Sequence, residues 1–377
     1  MILTVTLNPA LDLTYTVDAL VPHATNRVRT VAERPGGKGL NVAGVLHALG
    51  EPVLATGLLG GPTGAHIQGL VDFPAAFVPI AGDSRRTVTI VDAADATGLW
   101  EPGPTVTGPE WAAFLDHFAA LLPAADAVVL SGSLPKGLPP DAYAVLIRAA
   151  REQGVPTVLD TSGEPLHHGV GAAPDVVKPN EHELAALGRR PVDVIAAGVR
   201  AVVVSLGHRG LHAHTADGVW RVPPPAVVTG NPTGAGDACV AALARGLRNG
   251  LAKDGPTTYD RPEDNRAEHN RAEHNRTEDS RAEHNHAKDN HAEDGRTDGN
   301  RAEDGRAEHN RAQDGRAEDR PARGRHTGAA WADVLADAAA LAAAAVVAPV
   351  AGEIDLMQYQ TFRRTMQGVQ PDVQPHR

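Results

Sequence analysis

The chain has one cysteine, Cys239. No intrachain disulfide and no cysteine cluster for zinc is therefore available. The thiol itself lies two residues beyond Asp237 on an apolar helical stretch and reads as a small core filler. Long apolar runs are missing too, since none approaches the about 18 residues that a membrane-spanning helix requires. The opening MILTVTLNPALD enters a strand pattern with no basic leader ahead of it, so a soluble cytoplasmic protein is expected. Charge is not concentrated in any block. The 35 Lys and Arg and 46 Asp and Glu leave a net −11 spread along the chain, without the basic footprint of a nucleic-acid or membrane binder.

What is present is an alternation. Residues 2 to 7 (ILTVTL), 126 to 131 (DAVVLS), 156 to 160 (PTVLD) and 201 to 206 (AVVVSL) are short Val- and Leu-rich runs bounded by Gly, Pro or Asp, the pattern of strands buried on both faces. Between them, roughly 39 to 49, 109 to 121, 139 to 153 and 181 to 187 carry apolar residues at helical spacing. The 377 residues suffice for one large domain or two smaller ones with a well-buried core. Alternating strands and helices imply an α/β fold with a doubly wound, mostly parallel sheet flanked by helices, whose ligands bind at the carboxyl ends of the strands. Two segments, 12 to 34 and 85 to 100, instead show the period-two pattern of exposed strands. They suit a small sheet beside the main one, either a lid over a cleft or an edge extension. Unpaired lid-strand edges would also suit a homodimer.

From Arg261 to Arg320 the chain repeats a pentad: RPEDN, RAEHN, RAEHN, RTEDS and onward. A five-residue period matches neither helix nor strand, and alanine is almost its only apolar residue, so no face can be buried and disorder is expected over 251 to 327. The recurring His and Asp raise the alternative of a metal-binding tract, and each Glu three residues before an Arg that of an isolated helix. Asn and Gly oppose the helix, and no fixed geometry supports the metal. Around this insertion, 1 to 250 and 328 to 356 are expected to form one domain, followed by a C-terminal tail from 357 to 377. The stretch 329 to 347 reads as a helix following one at 234 to 248. If the chemistry lies at the start of the 234 to 248 helix, the insertion leaves from its far end.

Two glycine clusters carry the chemistry. In NPTGAGDA, residues 231 to 238, Gly234, Ala235 and Gly236 form a flexible turn that delivers Asp237 onto a helix start. Unpaired amides and the partial positive charge of a helix N-terminus suit a moving phosphoryl group, and Asp237 adds a carboxylate. Helix capping is the plainer alternative. In GGKGLNVA, residues 36 to 43, backbone amides, Lys38 and Asn41 can converge on a polyhydroxylated or anionic ligand. Lys38 is followed by Gly39, so the cluster is not a Walker A loop, which needs Ser or Thr there.

GGKGxN near the start and TGAGD near the end, with alternating strands and helices between, resemble the ribokinase-like (PfkB) carbohydrate kinases. KPNEHEL at 178 to 184, SLGHRG at 205 to 210 and SGSLPKGLP at 131 to 139 resemble that family's metal-site motif, nucleotide-side turn and central-strand loop. TLNPALDLTYTVD, the NRV of 26 to 28, KPN and NPTGAGDA together look like the 1-phosphofructokinase and tagatose-6-phosphate kinase branch. The resemblance implies that Asp12 holds sugar hydroxyls with Gly37, Lys38 and Asn41. Lys38, Arg27 and Arg85 are candidates by charge for the substrate's phosphate; Arg85 adjoins Arg86, and the two would face opposite ways on a strand. The resemblance further implies Asp237 as general base, the amides of Gly234 to Gly236 as anion hole, and Mg²⁺ organised by Asn180 and Glu183. Lys178 would lie on nucleotide phosphate, with Ser205, Gly207 and Gly210 shaping the ATP side. Each has a structural alternative: Asn180 as N-cap, Glu183 as first-turn acid, Asp12 and Ser205 as turn residues. The stretch 69 to 78 is shorter than in relatives, and Lys136 stands where they commonly carry a neutral residue.

The expected activity is ATP- and Mg²⁺-dependent phosphorylation of a hexose monophosphate, fructose 1-phosphate ahead of tagatose 6-phosphate and fructose 6-phosphate. The rival from another class is a binding module that has lost catalysis and uses the repeats as a partner arm. Such a module would lack the base or the metal-site residues, and Asp237, Asn180 and Glu183 are all present.

Overall fold

The computed structural model describes residues 1–251, 329–348, 350–367 and 372–374. In chain order, β1 (Ile2–Thr6) leads into β2 (Ala10–Thr16) and β3 (Thr30–Gly36), then α1 (Lys38–Ala48), β4 (Val53–Gly60), α2 (Gly61–Leu70) and β5 (Ala75–Ile80). Next come β6 (Arg85–Val91), β7 (Ala96–Trp100), α3 (Gly108–Leu121), β8 (Ala127–Ser131), α4 (Ala142–Glu152), β9 (Thr157–Asp160) and α5 (Gly163–Gly171). The chain continues through β10 (Val176–Val177), α6 (Glu181–Leu187), α7 (Pro191–Ala196), β11 (Ala201–Ser205), β12 (Leu211–Thr215), β13 (Gly218–Val222) and α8 (Ala235–Arg248). Beyond the insertion lie α9 (Ala329–Val347), α10 (Leu356–Met366) and β14 (Asp372–Gln374).

The main sheet runs β14-β13-β12-β11-β10-β9-β8-β1-β4-β5. From β5 to β11 every pairing is parallel, and β12, β13 and β14 add antiparallel at one edge. Alternation along each strand feeds two cores. Ile2, Val129, Val158 and Val203 pack under α1, α8 and α9. Leu3, Val128, Leu159 and Val202 pack under α3, α4 and α5. With both faces covered, the parallel strands are apolar almost throughout, as their continuous Val and Leu runs predict. At β1 the order reverses, β4 and β5 lying to one side and β8 onward to the other. The crevice outside the carboxyl ends of such strands is where ligands bind in open α/β sheets.

The period-two segments form a second sheet, β3-β2-β6-β7. Leu13 and Val88 face the core on one side, packing into the cluster under α1. Asp12, Thr87 and Arg85 share the other side, because Asp12 pairs across to Thr87 and Ala10 to Arg85.

Several elements escaped the sequence pattern. β5 carries Pro79, which a strand tolerates at the sheet edge where β5 lies. β10 is two residues long, and β4 has Gly57 within its apolar run. The helix expected from 139 starts at Ala142, since Pro139 and Pro140 stand ahead of it and a residue before proline disfavours helical backbone. The tail expected from 357 instead enters a helix and a strand: Tyr359, Phe362 and Met366 of α10 are buried, and β14 extends the sheet beside β13. The disorder expected over 251 to 327 lies, past Leu251, outside the described residues.

α8 and α9, which flank the insertion, share one core through Leu243, Leu247, Leu335 and Leu341. Arg245 clamps them, with Nε 2.8 Å from Glu51 and Nη1 2.8 Å from Asp337. The Tyr359 hydroxyl donates to Asp337 at 2.7 Å, adding α10 to the clamp. Because these contacts hold the flanks without the intervening chain, deleting residues 255 to 325 is expected to leave Tm and steady-state constants essentially unchanged. Differential scanning calorimetry and initial rates on the shortened chain check this, and a large loss in either contradicts it.

Candidate active site

Two strand ends and two helix starts meet at the carboxyl edge. β9 ends on Asp160, Lys178 follows β10, and α1 and α8 begin with Lys38 and Ala235. α8 opens from Gly234, whose backbone is left-handed (φ 91°). A β-carbon there would lie 2.9 Å from Cα of Ala351, so both conformation and space call for glycine. The first turn places Asp237 inside the protein, 6% exposed, where its Oδ2 accepts a hydrogen bond from Asn41 Nδ2 at 2.8 Å. Burial pushes the Asp237 carboxyl up to about 7, and the charge of Asp160 adds to the shift; the Asn41 hydrogen bond and the ammonium groups of Lys38 and Lys178 oppose it.

Asp160 is 1% exposed. Its Oδ1 lies 3.3 Å from Lys38 Nζ and 3.4 Å from Lys178 Nζ, and its Oδ2 has no hydrogen-bond partner among the described residues. Burial alone would lower the pKa of Lys178, but its anionic surroundings, Asp160 foremost, raise it above lysine's ordinary value, so Lys178 stays a cation. A β-carbon at Gly236 would stand 3.5 Å from Lys178 Nζ, which puts that cation against the first turn of α8. Across from Lys38 lies the turn at Gly132, whose carbonyl accepts from the hydroxyls of Tyr143 at 3.1 Å and Thr161 at 2.8 Å.

Asn180 and Glu183 form a capping box at the start of α6. The Asn180 side chain accepts from the Glu183 amide, and Glu183 Oε2 accepts from the Asn180 amide, both at 2.8 Å. The other oxygen of Glu183, Oε1, is turned to Lys38 Nζ at 3.8 Å. The capping role named as the plainer alternative is thus realised, while one carboxylate oxygen remains at the cleft. No group of three or more His, Cys, Asp or Glu among the described residues could by itself hold a metal ion.

On the second sheet the Thr87 hydroxyl donates to Asp12, and a β-carbon at Gly36 would fall 2.1 Å from the Asp12 carboxyl. Gly36 therefore lets β3 pass directly over the acid, and Gly37 caps α1 next to it. Burial raises the Asp12 carboxyl; Thr87, Arg85 and Arg34 oppose the rise. Arg85 donates from Nε to the Asn8 carbonyl at 3.2 Å and shares Asp12's face, whereas Arg86 turns away to pair with Glu101 at 2.8 Å. Arg27 sits exposed on the loop between β2 and β3, without a hydrogen bond or ion pair among the described residues. It is not brought to the other candidates.

Ser205 ends β11, and its amide donates to the Pro179 carbonyl at 3.1 Å, which places the Gly207 to Gly210 turn beside the start of α6. Arg209 of that turn pairs with Glu181. Sequence reasoning missed Asp160. The one available signal was an acid closing an apolar strand, which is also how strands commonly end. It missed Arg34 and Thr87 as well, because only the cross-strand register puts them opposite Asp12.

A buried acid at a helix start, amides beside it and two cations facing it make a site suited to an anionic ligand. Residues 5–254 match the description "pfkB family carbohydrate kinase", and the chain belongs to that family. Among solved structures it resembles phosphofructokinase-2 from Escherichia coli in complex with fructose-6-phosphate, 29% identical with a TM-score of 0.61, over 66% of this chain and 87% of that one. It also resembles a protein described as a possible 1-phosphofructokinase from Thermotoga maritima, 31% identical with a TM-score of 0.57, over 65% and 84%. Ribokinase from Arabidopsis thaliana, complexed with ribose and ATP, shares the fold at 16% identity with a TM-score of 0.60, over 96% and 98%. Among the described residues no helix is long and apolar enough to cross a membrane.

The raised Asp237 value has a consequence for stability. Between its ordinary 3.8 and about 7 the folded chain keeps a proton that the unfolded chain has lost, so this contribution to stability declines as pH rises through that window. Above about 7 the penalty is complete, on the order of 4 kcal/mol. Asp237→Asn is expected to be more stable than wild type at pH 8, with the gap narrowing towards pH 5. Urea unfolding at both values checks the sign.

Proposed function

We propose that this kinase transfers the γ-phosphoryl group of ATP to the 6-hydroxyl of fructose 1-phosphate, giving fructose 1,6-bisphosphate. The observation that carries the reading is Asp237: a carboxylate buried at a helix N-terminus, oriented by Asn41, with a proton affinity near neutrality. A general base works best when its pKa lies near the operating pH. Asp237 accepts the proton of the attacking hydroxyl as that oxygen bonds to the γ-phosphorus and ADP leaves. The amides of Gly234 to Gly236 face the phosphoryl oxygens, aided by the N-terminal end of α8. Lys178 and Lys38 bring positive charge from the strand ends and from α1. On the sugar side, Asp12, Gly37 and Asn41 hold hydroxyls and Arg85 takes the existing phosphate.

Mg²⁺ keeps most of its water and needs only one or two carboxylates beside the substrate phosphates. The single Glu183 oxygen turned to the cleft, set by the Asn180 cap, fits that demand. When bound, the ion would neutralise phosphate charge. Ser205, Gly207 and Gly210 form the nucleotide side of the same cleft. The small sheet acts as a lid carrying Asp12, and its unpaired edges suit pairing with a second copy of the chain. A cytoplasmic setting agrees with this chemistry.

A second reading, fructose 6-phosphate as acceptor, draws on the likeness to the Escherichia coli enzyme with that sugar phosphate bound. Tagatose 6-phosphate is the third candidate. ADP release measured against these three phosphates and free fructose is expected to show the highest kcat/KM for fructose 1-phosphate. Preference for the unphosphorylated sugar would sink the proposal. Asp237→Asn is expected to lower kcat by about 10²- to 10⁴-fold while sugar-phosphate affinity stays within a few-fold of wild type. Equal turnover would remove Asp237 from the base role, and rates should climb with pH through the region near 7 as Asp237 ionises.

A further inference from the structure

Asp160 is not the proton acceptor in the step just described, yet it is the most enclosed acid of the cleft, at 1% exposed. Two lysines from different elements meet at a single one of its oxygens, Lys38 at 3.3 Å and Lys178 at 3.4 Å. The backbone of β9 holds it firmly, since the Gly132 amide donates to its carbonyl at 3.0 Å and Ser131 is its register partner on β8. Lysine is a long, flexible chain with a compact charge. A lysine left to itself at a cleft samples many rotamers, and ordering it when a ligand arrives weakens binding by an appreciable factor per side chain. Here both ammonium groups are ordered beforehand at a shared point. One of them, Lys178, lies against the first turn of α8, 3.5 Å from where a β-carbon at Gly236 would be.

We propose that Asp160 is a positioning residue that holds Lys38 and Lys178 as a preformed pair facing the start of α8, ready for the phosphate oxygens of the nucleotide. This rests on the phosphoryl-transfer reading given above. It also makes a prediction opposite in sign to simple electrostatics. An acid beside a phosphate site repels anions, so if Asp160 acted only through its charge, neutralising it would tighten phosphate binding. If it orders the lysines, neutralising it loosens binding in spite of the repulsion removed.

The test is calorimetric titration of wild type, Asp160→Asn and Asp160→Glu with ATP and Mg²⁺, and separately with fructose 1-phosphate. Asp160→Asn is expected to raise the ATP dissociation constant by about tenfold and to leave that for fructose 1-phosphate within a few-fold of wild type. Asp160→Glu keeps the buried charge but moves the meeting point of the lysines by one methylene. It is expected to raise the ATP constant too, and it decides the matter if the Asn variant does not fold. Unchanged or tighter ATP binding in a folded variant overturns the positioning role. Wild type that binds both ligands but consumes no ATP with any sugar phosphate refutes the phosphoryl-transfer reading alone, while wild type that binds neither ligand refutes both.

Discussion

A parallel sheet covered by helices on both faces has no room for charged side chains along its strands, so charge is forced to the strand ends. This constraint organises the molecule. Along β1, β8, β9 and β10 the apolar side chains are buried to one layer or the other. At or just past their carboxyl ends appear Asn8, Ser131, Asp160 and Lys178. The helices that must return over the sheet begin at that same edge, with their unpaired amides and positive dipole ends beside the acids. Charge thus gathers where the fold cannot hide it.

Within that edge the charges regulate one another. Asp237 is buried deeply enough to resist ionisation, and Asp160 reinforces that resistance. Lys38 and Lys178 pull the other way, and because both are tied to Asp160, acids and cations form one coupled set. A carboxylate pulled between burial and two ammonium groups ends near neutrality, where it can take a proton and give it up. Burying it lowers the stability of the fold at neutral pH and above.

Much of this was legible in residue order. The glycine clusters flagged both helix starts, because a backbone that must turn left-handed or pass over a side chain accepts little else. Gly36 over Asp12 and Gly234 against Ala351 bear this out. The strands buried on both faces announced themselves by unbroken Val and Leu. Legibility stopped where a residue's role depends on a neighbour distant in sequence. Asp160 looked like any strand-ending acid, Arg34 and Thr87 like ordinary strand residues, and the Asn180 and Glu183 pair served equally as helix cap and metal-site candidate. The segment of α10 and β14 reads as a tail in sequence, because the buried apolar residues of α10, Tyr359, Phe362 and Met366, reveal their purpose only in the cluster they share with α8 and α9.

Local chemistry, then, decided what kind of protein this is: alternating buried strands and helices, two phosphate-friendly turns, and an acid beside one of them. Those features depend on backbone freedom and side-chain polarity, which act over a few residues and can be read in order. Tertiary structure alone decided which charges meet. Lys38 and Asp160 stand 122 residues apart in the chain, and Asn41 and Asp237 stand 196 apart. Proton affinity depends on burial and on distances of a few ångströms, and only the packing of β9, β10, α1 and α8 brings these residues within reach of each other.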